Sequence, residues 1–73
     1  MEFEIYKRKG HIEARPASLS EIETKELDPY ISISQADIDN GSPKKGDMIA
    51  RNPDNYNDQW LIAEDYFRNN YVI

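Results

Sequence analysis

Residues 41–47, GSPKKGD, place four residues between two glycines, the spacing with which a nucleotide-binding loop surrounds a phosphate. The next residue is Asp47, where such a loop carries its lysine, and a carboxylate there repels the phosphate. Pro43 also removes one amide donor, and the following MIAR reads as a strand rather than the helix a phosphate site needs. The stretch is therefore read as a turn, with glycine supplying a positive φ and Asp47 bonding nearby amides. The other candidates for chemistry are thin. His11, the single histidine, with Glu13 two residues on cannot fill a zinc site without further ligands. Ser18, Ser20, Ser32, Ser34 and Ser42 all fall where turns and caps account for them, and no glycine-flanked nucleophile is found. Asp54, the Tyr56 carbonyl and Asp58 offer calcium alternating oxygens but lack the bidentate glutamate and central glycine of an EF-hand loop. A pair of carboxylates could hydrolyse a glycoside, yet a domain this small seldom encloses the cleft they need. The residues thus predict no catalytic set, no cofactor and no metal centre.

What remains is charge. The formal net charge is -5, from 14 acids against 9 bases, and the excess is concentrated. Residues 16–42 carry Glu21, Glu23, Glu26, Asp28, Asp37 and Asp39 against Lys25 alone, while the segments on either side are nearly balanced. Such a segment repels nucleic-acid phosphates and suits a basic protein surface; its plainer role is to keep a small domain solvated. The expected protein-contact residues are these six acids with Tyr30 and Tyr56. The bases cluster as Lys7, Arg8, Lys9 and as Lys44, Lys45, and they make one patch only if both turns lie at one end of a sheet.

The elements that position these residues follow from periodicity. Met1, Phe3 and Ile5 alternate with polar neighbours, as do Ile12 and Ala14 in HIEARP, which predicts two strands joined by a tight turn at KRKG with Gly10 at positive φ. Ser18 and Glu21 have the spacing of a capping box, and Leu19, Ile22 and Leu27 could share a helical face. YISIS reads as a brief strand, and Ser34 caps a helical turn through QADIDN that Gly41 closes. MIAR and QWLIA read as strands separated by a polar loop, DNYND. EDYFRNNY begins with acids, which suit a helix N-terminus, and sets Phe67 and Tyr71 on one side, with Val72 and Ile73 as an apolar tail.

A chain of 73 residues buries only about 60% of its unfolded surface, so residues 1–73 are read as a single small domain. Without cysteine it has neither disulfides nor thiolate ligands, which favours a reducing compartment and an expected cytoplasmic location. No run of about 18 apolar residues occurs, so no membrane partner is expected. The predicted class is α+β: a small twisted antiparallel sheet of about four strands, open or curled toward a partial barrel, with a short C-terminal helix. Its expected core is Phe3, Ile5, Ile12, Ile33, Ile49, Trp60, Leu61 and Phe67.

Three pieces in order, YKRKGHIEARP, GSPKKGDMIARNP and QWLIAEDYFRNNY, resemble a group of small proteins of tailed bacteriophages and prophages. Members of that group open with a Y-x-K-K-x-x-x-I-E-A hairpin, carry a P-G-D-W-I turn and strand, and close with an F-x-x-x-Y helix. Tyr6, Lys7, Lys9, Ile12, Glu13 and Ala14 approximate the first motif, Gly46, Asp47 and Ile49 the second, and Phe67 and Tyr71 the third. Lys45 and Met48 replace the proline and tryptophan of the second, and the acidic segment has no counterpart. The resemblance implies phage origin and an α+β fold, and it brings no catalytic residues. The expectation is a non-enzymatic accessory protein that binds a host protein and inhibits a defence complex. Two alternatives are an acidic DNA mimic that occupies a basic channel, and a virion or nucleic-acid-binding protein that uses the basic turns.

Overall fold

The computed structural model describes residues 3–7 and 11–71. In chain order the elements are β1 (Glu4–Lys7), β2 (His11–Pro16), α1 (Leu19–Thr24), β3 (Ile31–Ser32), α2 (Gln35–Asp39), β4 (Met48–Asn52), β5 (Asn55–Ile62) and α3 (Glu64–Asn70). The strands form one open sheet in the order β1-β2-β4-β5-β3. Four of them pair antiparallel, as their alternating sequences predict, and β3 adds to β5 in parallel through Ile31 and Ser32. The α+β class and the terminal helix hold, and the sheet does not close into a barrel. The turn expected around Gly10 and the tail at Val72 and Ile73 lie outside the described residues.

Successive residues of a strand point to opposite faces, so the register divides the core in two. Ala14, Ala50 and Trp60 align across β2, β4 and β5 on one face, and Arg15, Ile49 and Leu61 align on the other. On the first face Ala14, Ala50 and Ile62 are buried beneath Phe67 and Tyr71. The two alanines leave room for those rings, which stack with centroids 5.2 Å apart. On the second face Ile31, Ile49 and Leu61 are buried against Leu27 and Ile33. Strand β4 is thus sealed on both sides, with Ile49 and Ala50 wholly buried.

This register corrects the expected core. Ile5 pairs with Glu13, which sets it on the face opposite Ile12, and it remains 54% exposed. Ile49 and Leu61 are buried as expected, whereas Phe3, Ile12, Ile33, Trp60 and Phe67 are half-buried. Ala14, Ala17, Ile31, Ala50 and Ile62 complete the core. Leu19 is exposed and α1 buries no residue, so this helix is held by polar contacts instead. β5 begins at Asn55, four residues before the expected QWLIA, because the connection from β4 closes in a tight turn at Pro53 and Asp54. Asn52 Oδ1 accepts from the Asp54 amide at 2.9 Å to form that turn.

The caps explain the helix starts. The Ser18 hydroxyl accepts from the Glu21 amide at 3.1 Å, and Glu21 accepts from the Ser18 amide at 2.8 Å, a complete capping box. Ser34 accepts from the Asp37 amide at 3.2 Å at the start of α2. Helix α3 starts after Ala63, which has no side chain to offer, and Asp47 supplies the missing acceptor: its Oδ1 accepts from the Glu64 amide at 3.1 Å. Oδ2 of the same wholly buried carboxylate accepts from the Ser42 hydroxyl at 2.6 Å and the Lys44 amide at 3.0 Å. The Lys44 ammonium approaches Oδ1 at 3.2 Å. Burial pushes the Asp47 carboxyl up, but these bonds outweigh it and hold the group below the ordinary carboxylate value. GSPKKGD is therefore a turn organised around its own aspartate. Gly46 before it has φ +95°, which favours glycine, and lies so close to the Glu64 carboxylate that a Cβ would displace that side chain.

Candidate protein-binding surface

Between α1 and α2 the chain makes a groove. Lys25 ends α1 in the left-handed region, at φ 60°, and turns the chain back over the second face of the sheet. Its ammonium donates to the Gly41 and Pro43 carbonyls at 2.6 and 2.7 Å, tying the end of α1 to the connection between α2 and β4. Above this tie Leu27, Ile31, Ile33 and Ile38, with Asp28 and Pro43, line an open groove of about 480 Å³. Ile31 and Ile33 reach it from β3 and the residue beyond it, on the same face as Ile49 and Leu61. Ile38 reaches it from α2 and is 47% exposed, with its two aspartate neighbours on either side in the chain.

The carboxylates of residues 16–42 divide into two sorts. Glu21 receives both guanidinium nitrogens of Arg15, at 2.8 and 2.9 Å, while it also closes the capping box. The Arg15 hydrogen bonds are the largest cause holding its pKa down at about 2, against the raising effect of burial. Glu21 therefore has a structural role, holding the start of α1 to Arg15. Glu23, Glu26, Asp28, Asp37 and Asp39 have no ion-pair partner among the described residues. Asp28 accepts from the Tyr30 amide and Asp39 from the Gln35 side chain, and neither bond neutralises charge. The one base of the segment, Lys25, forms no ion pair with these acids: its ammonium is held by the Gly41 and Pro43 carbonyls, and it keeps its charge at the foot of the groove.

Sequence reasoning grouped residues that the fold separates. Asp28 lines the groove; Glu26 follows its lining residue Lys25, and Asp39 follows Ile38. Tyr30, 57% exposed, precedes Ile31 at the groove wall. Asp37 instead lines a separate depression of about 320 Å³ with Trp60, Tyr66 and Tyr71. Tyr56 contributes to neither. The Arg51 guanidinium lies 3.7 Å from the centre of its ring and 4.0 Å from that of Phe3, and donates to Glu13 at 2.7 Å. The apolar groove walls were missed because Leu27 and Ile33 alternate or space like core residues. Ile38 gave a signal: it is the one large apolar side chain of an otherwise polar helical turn, with no helical partner three or four residues away on that turn.

The remaining chemistry is not assembled. Lys44 and Lys45 precede Met48, which pairs with Pro16 at one end of β2, whereas Lys7 pairs with His11 at the other end. The condition for a single basic patch, both turns at one end of the sheet, is therefore not met by Lys7, Lys44 and Lys45, and Arg8 and Lys9 lie outside the described residues. Among the described residues, no three or more His, Cys, Asp or Glu side chains are grouped to hold a metal ion. No helix of the described residues is long and apolar enough to cross a membrane. Comparison with protein-family models, with curated proteins and with solved structures gives no significant match to any of them.

Proposed function

We propose that this chain is a non-enzymatic protein-binding module of the phage accessory type, which contacts a host protein in the host cytoplasm and inhibits the complex to which that protein belongs. The observation that carries the reading is the groove. Its walls are aliphatic and open to water, and the carboxylates in and beside it make no ion pair and outnumber the one cation of the lining, Lys25. A soluble surface of this kind gains by covering apolar area and by neutralising charge together, and a protein partner supplies both. The resemblance to phage proteins supports the host setting.

The test is capture from a bacterial lysate by the tagged full chain, compared with two variants. Ile38→Gln removes apolar contact at an exposed helical position, and the double change Glu26→Gln, Asp28→Asn removes charge in and beside the groove. Glu21 is left intact because it caps α1 and anchors Arg15. The expected result is a stoichiometric host protein on the parent that is lost from both variants while their circular dichroism is unchanged. Capture of the same protein by all three chains, or of none by the parent, would overturn the proposal.

A further inference from the structure

Resting on the reading of the groove as a protein-binding surface, the geometry points to its occupant: we infer that the groove takes an amphipathic helix of the partner, with an apolar stripe facing Leu27, Ile31, Ile33 and Ile38 and lysines or arginines on its flanks. The first argument concerns the backbone. The Ile31 amide donates to the Asp28 carbonyl, the Gly41 amide to the Ile38 carbonyl and the Ser42 amide to the Asp37 carbonyl. The Gly41 and Pro43 carbonyls are taken by Lys25. The main chain that lines the groove is thus largely satisfied by its own fold. A partner that binds as an added strand needs a row of free donors and acceptors, and β3 at this edge of the sheet is only two residues long before Ser34 starts α2.

A helix asks for none of these. Its own amides are paired internally, and it presents side chains at i, i+3 or i+4, and i+7 along one face, which suits a groove whose walls are side chains. Charge selects the flanks of that helix. Asp28 within the groove and Glu26 and Asp39 beside its lining residues make no ion pair, and with Asp37 they outnumber the single cation of residues 25–39, Lys25 at the foot of the groove, so cationic flanks are attracted and anionic ones repelled. The same argument disfavours a second copy of this chain, which would bring two such rims and two net charges of -5 together.

The experiment uses the full chain with labelled isoleucine methyl groups and three synthetic peptides of about 18 residues, long enough to hold a helix when bound. The first has leucines at helical spacing and lysines on the flanks. The second has glutamates for the lysines, and the third has the composition of the first in an order that breaks the stripe. The first should shift Ile31, Ile33 and Ile38 saturably and leave Ile5 and Ile12 unmoved. The second and third should bind at least about tenfold more weakly, and Ile38→Gln should weaken the first about fivefold. Equal binding of any two peptides, shifts centred away from the groove, or no saturable binding up to about 1 mM would overturn the inference. If the peptides fail while a host protein is still captured and is lost on Ile38→Gln, the groove remains the binding surface and only the helical, basic occupant is wrong.

Discussion

The carboxylate of Asp47 is the residue whose loss the structure makes most costly, and the cost can be worked bond by bond. Oδ2 accepts from the Ser42 hydroxyl and the Lys44 amide, and Oδ1 accepts from the Glu64 amide and the Lys44 ammonium. Asp47→Ala removes the acceptor of two backbone amides at a wholly buried position and strips α3 of its side-chain cap. Charge-assisted bonds of this kind are worth about 1.5–3 kcal/mol each, and a lost cap about 1 kcal/mol, without strict additivity. The expected loss is about 4 kcal/mol, a large part of the roughly 4–11 kcal/mol that a chain of this length has in total.

Asp47→Asn has nearly the same shape but cannot substitute cleanly. With its NH₂ in the Oδ1 position the amide faces only donors, so it must turn the NH₂ toward Ser42, whose hydroxyl can accept, and leave the Lys44 amide unpaired. One bond and the charge are lost, and the expected cost is about 2 kcal/mol. Urea titration followed by emission of Trp60, the single tryptophan, and independently by circular dichroism, measures both values. The order parent, Asn, Ala should appear with separations of about 2 kcal/mol each, and melting should fall by about 4–8 °C per kcal/mol. If Asn lies within about 0.5 kcal/mol of the parent, the hydrogen-bond reasoning is refuted.

The other expectations test separate parts of the fold. Glu21 is depressed to about 2 from 4.5, so its contribution is fully present above the ordinary carboxylate range and is lost as pH falls toward 2. Chemical denaturation should therefore show Glu21→Gln weaker than the parent by about 2 kcal/mol at neutral pH, with the gap narrowing below pH 4.5. Gly46→Ala should cost about 2 kcal/mol, because alanine at φ +95° is strained and its methyl displaces the Glu64 carboxylate; a neutral effect in the melting curve would contradict the packing described. Arg51→Lys should recover less than half of the stability lost in Arg51→Ala, since an ammonium keeps the charge but cannot lie flat between Phe3 and Tyr56 while bonding Glu13; equal stability of Lys and Arg in a urea titration would show that charge alone matters.

Local signals in this sequence were reliable where the physics is local. The Ser18–Glu21 box, the Ser34 cap, the glycine turn before Met48 and the acids that begin α3 each depend on a few adjacent residues, and each is found as read. What could not be read was register. Alternation in MEFEIY gives two faces but not which of them meets Ile12, and pairing Ile5 with Glu13 sends Ile5 to the opposite side. The same limit hid the candidate site. The groove needs Leu27, Ile33 and Ile38 to converge from three separate segments, and the demotion of Glu21 to a structural role needs Arg15 on β2 to reach across to α1. Parallel pairing of β3 depends likewise on a long connection, whose course no adjacent residues encode.

That parallel pairing has a mechanical meaning. The antiparallel strands β1, β2, β4 and β5 hold one another through ladders of four or five residue pairs, whereas the backbone of β3 is paired through Ile31 and Ser32 alone and the rest of its hold is side-chain packing on Ile49 and Leu61. Residues 25–41 are thus tied to the sheet by few backbone bonds, and their amides should exchange with solvent before those of Ile49 and Leu61. A helix seated against Leu27, Ile31, Ile33 and Ile38 would press on this sparsely paired segment. Binding would then be recorded first as slowed exchange in that segment, and only afterwards as a higher melting temperature.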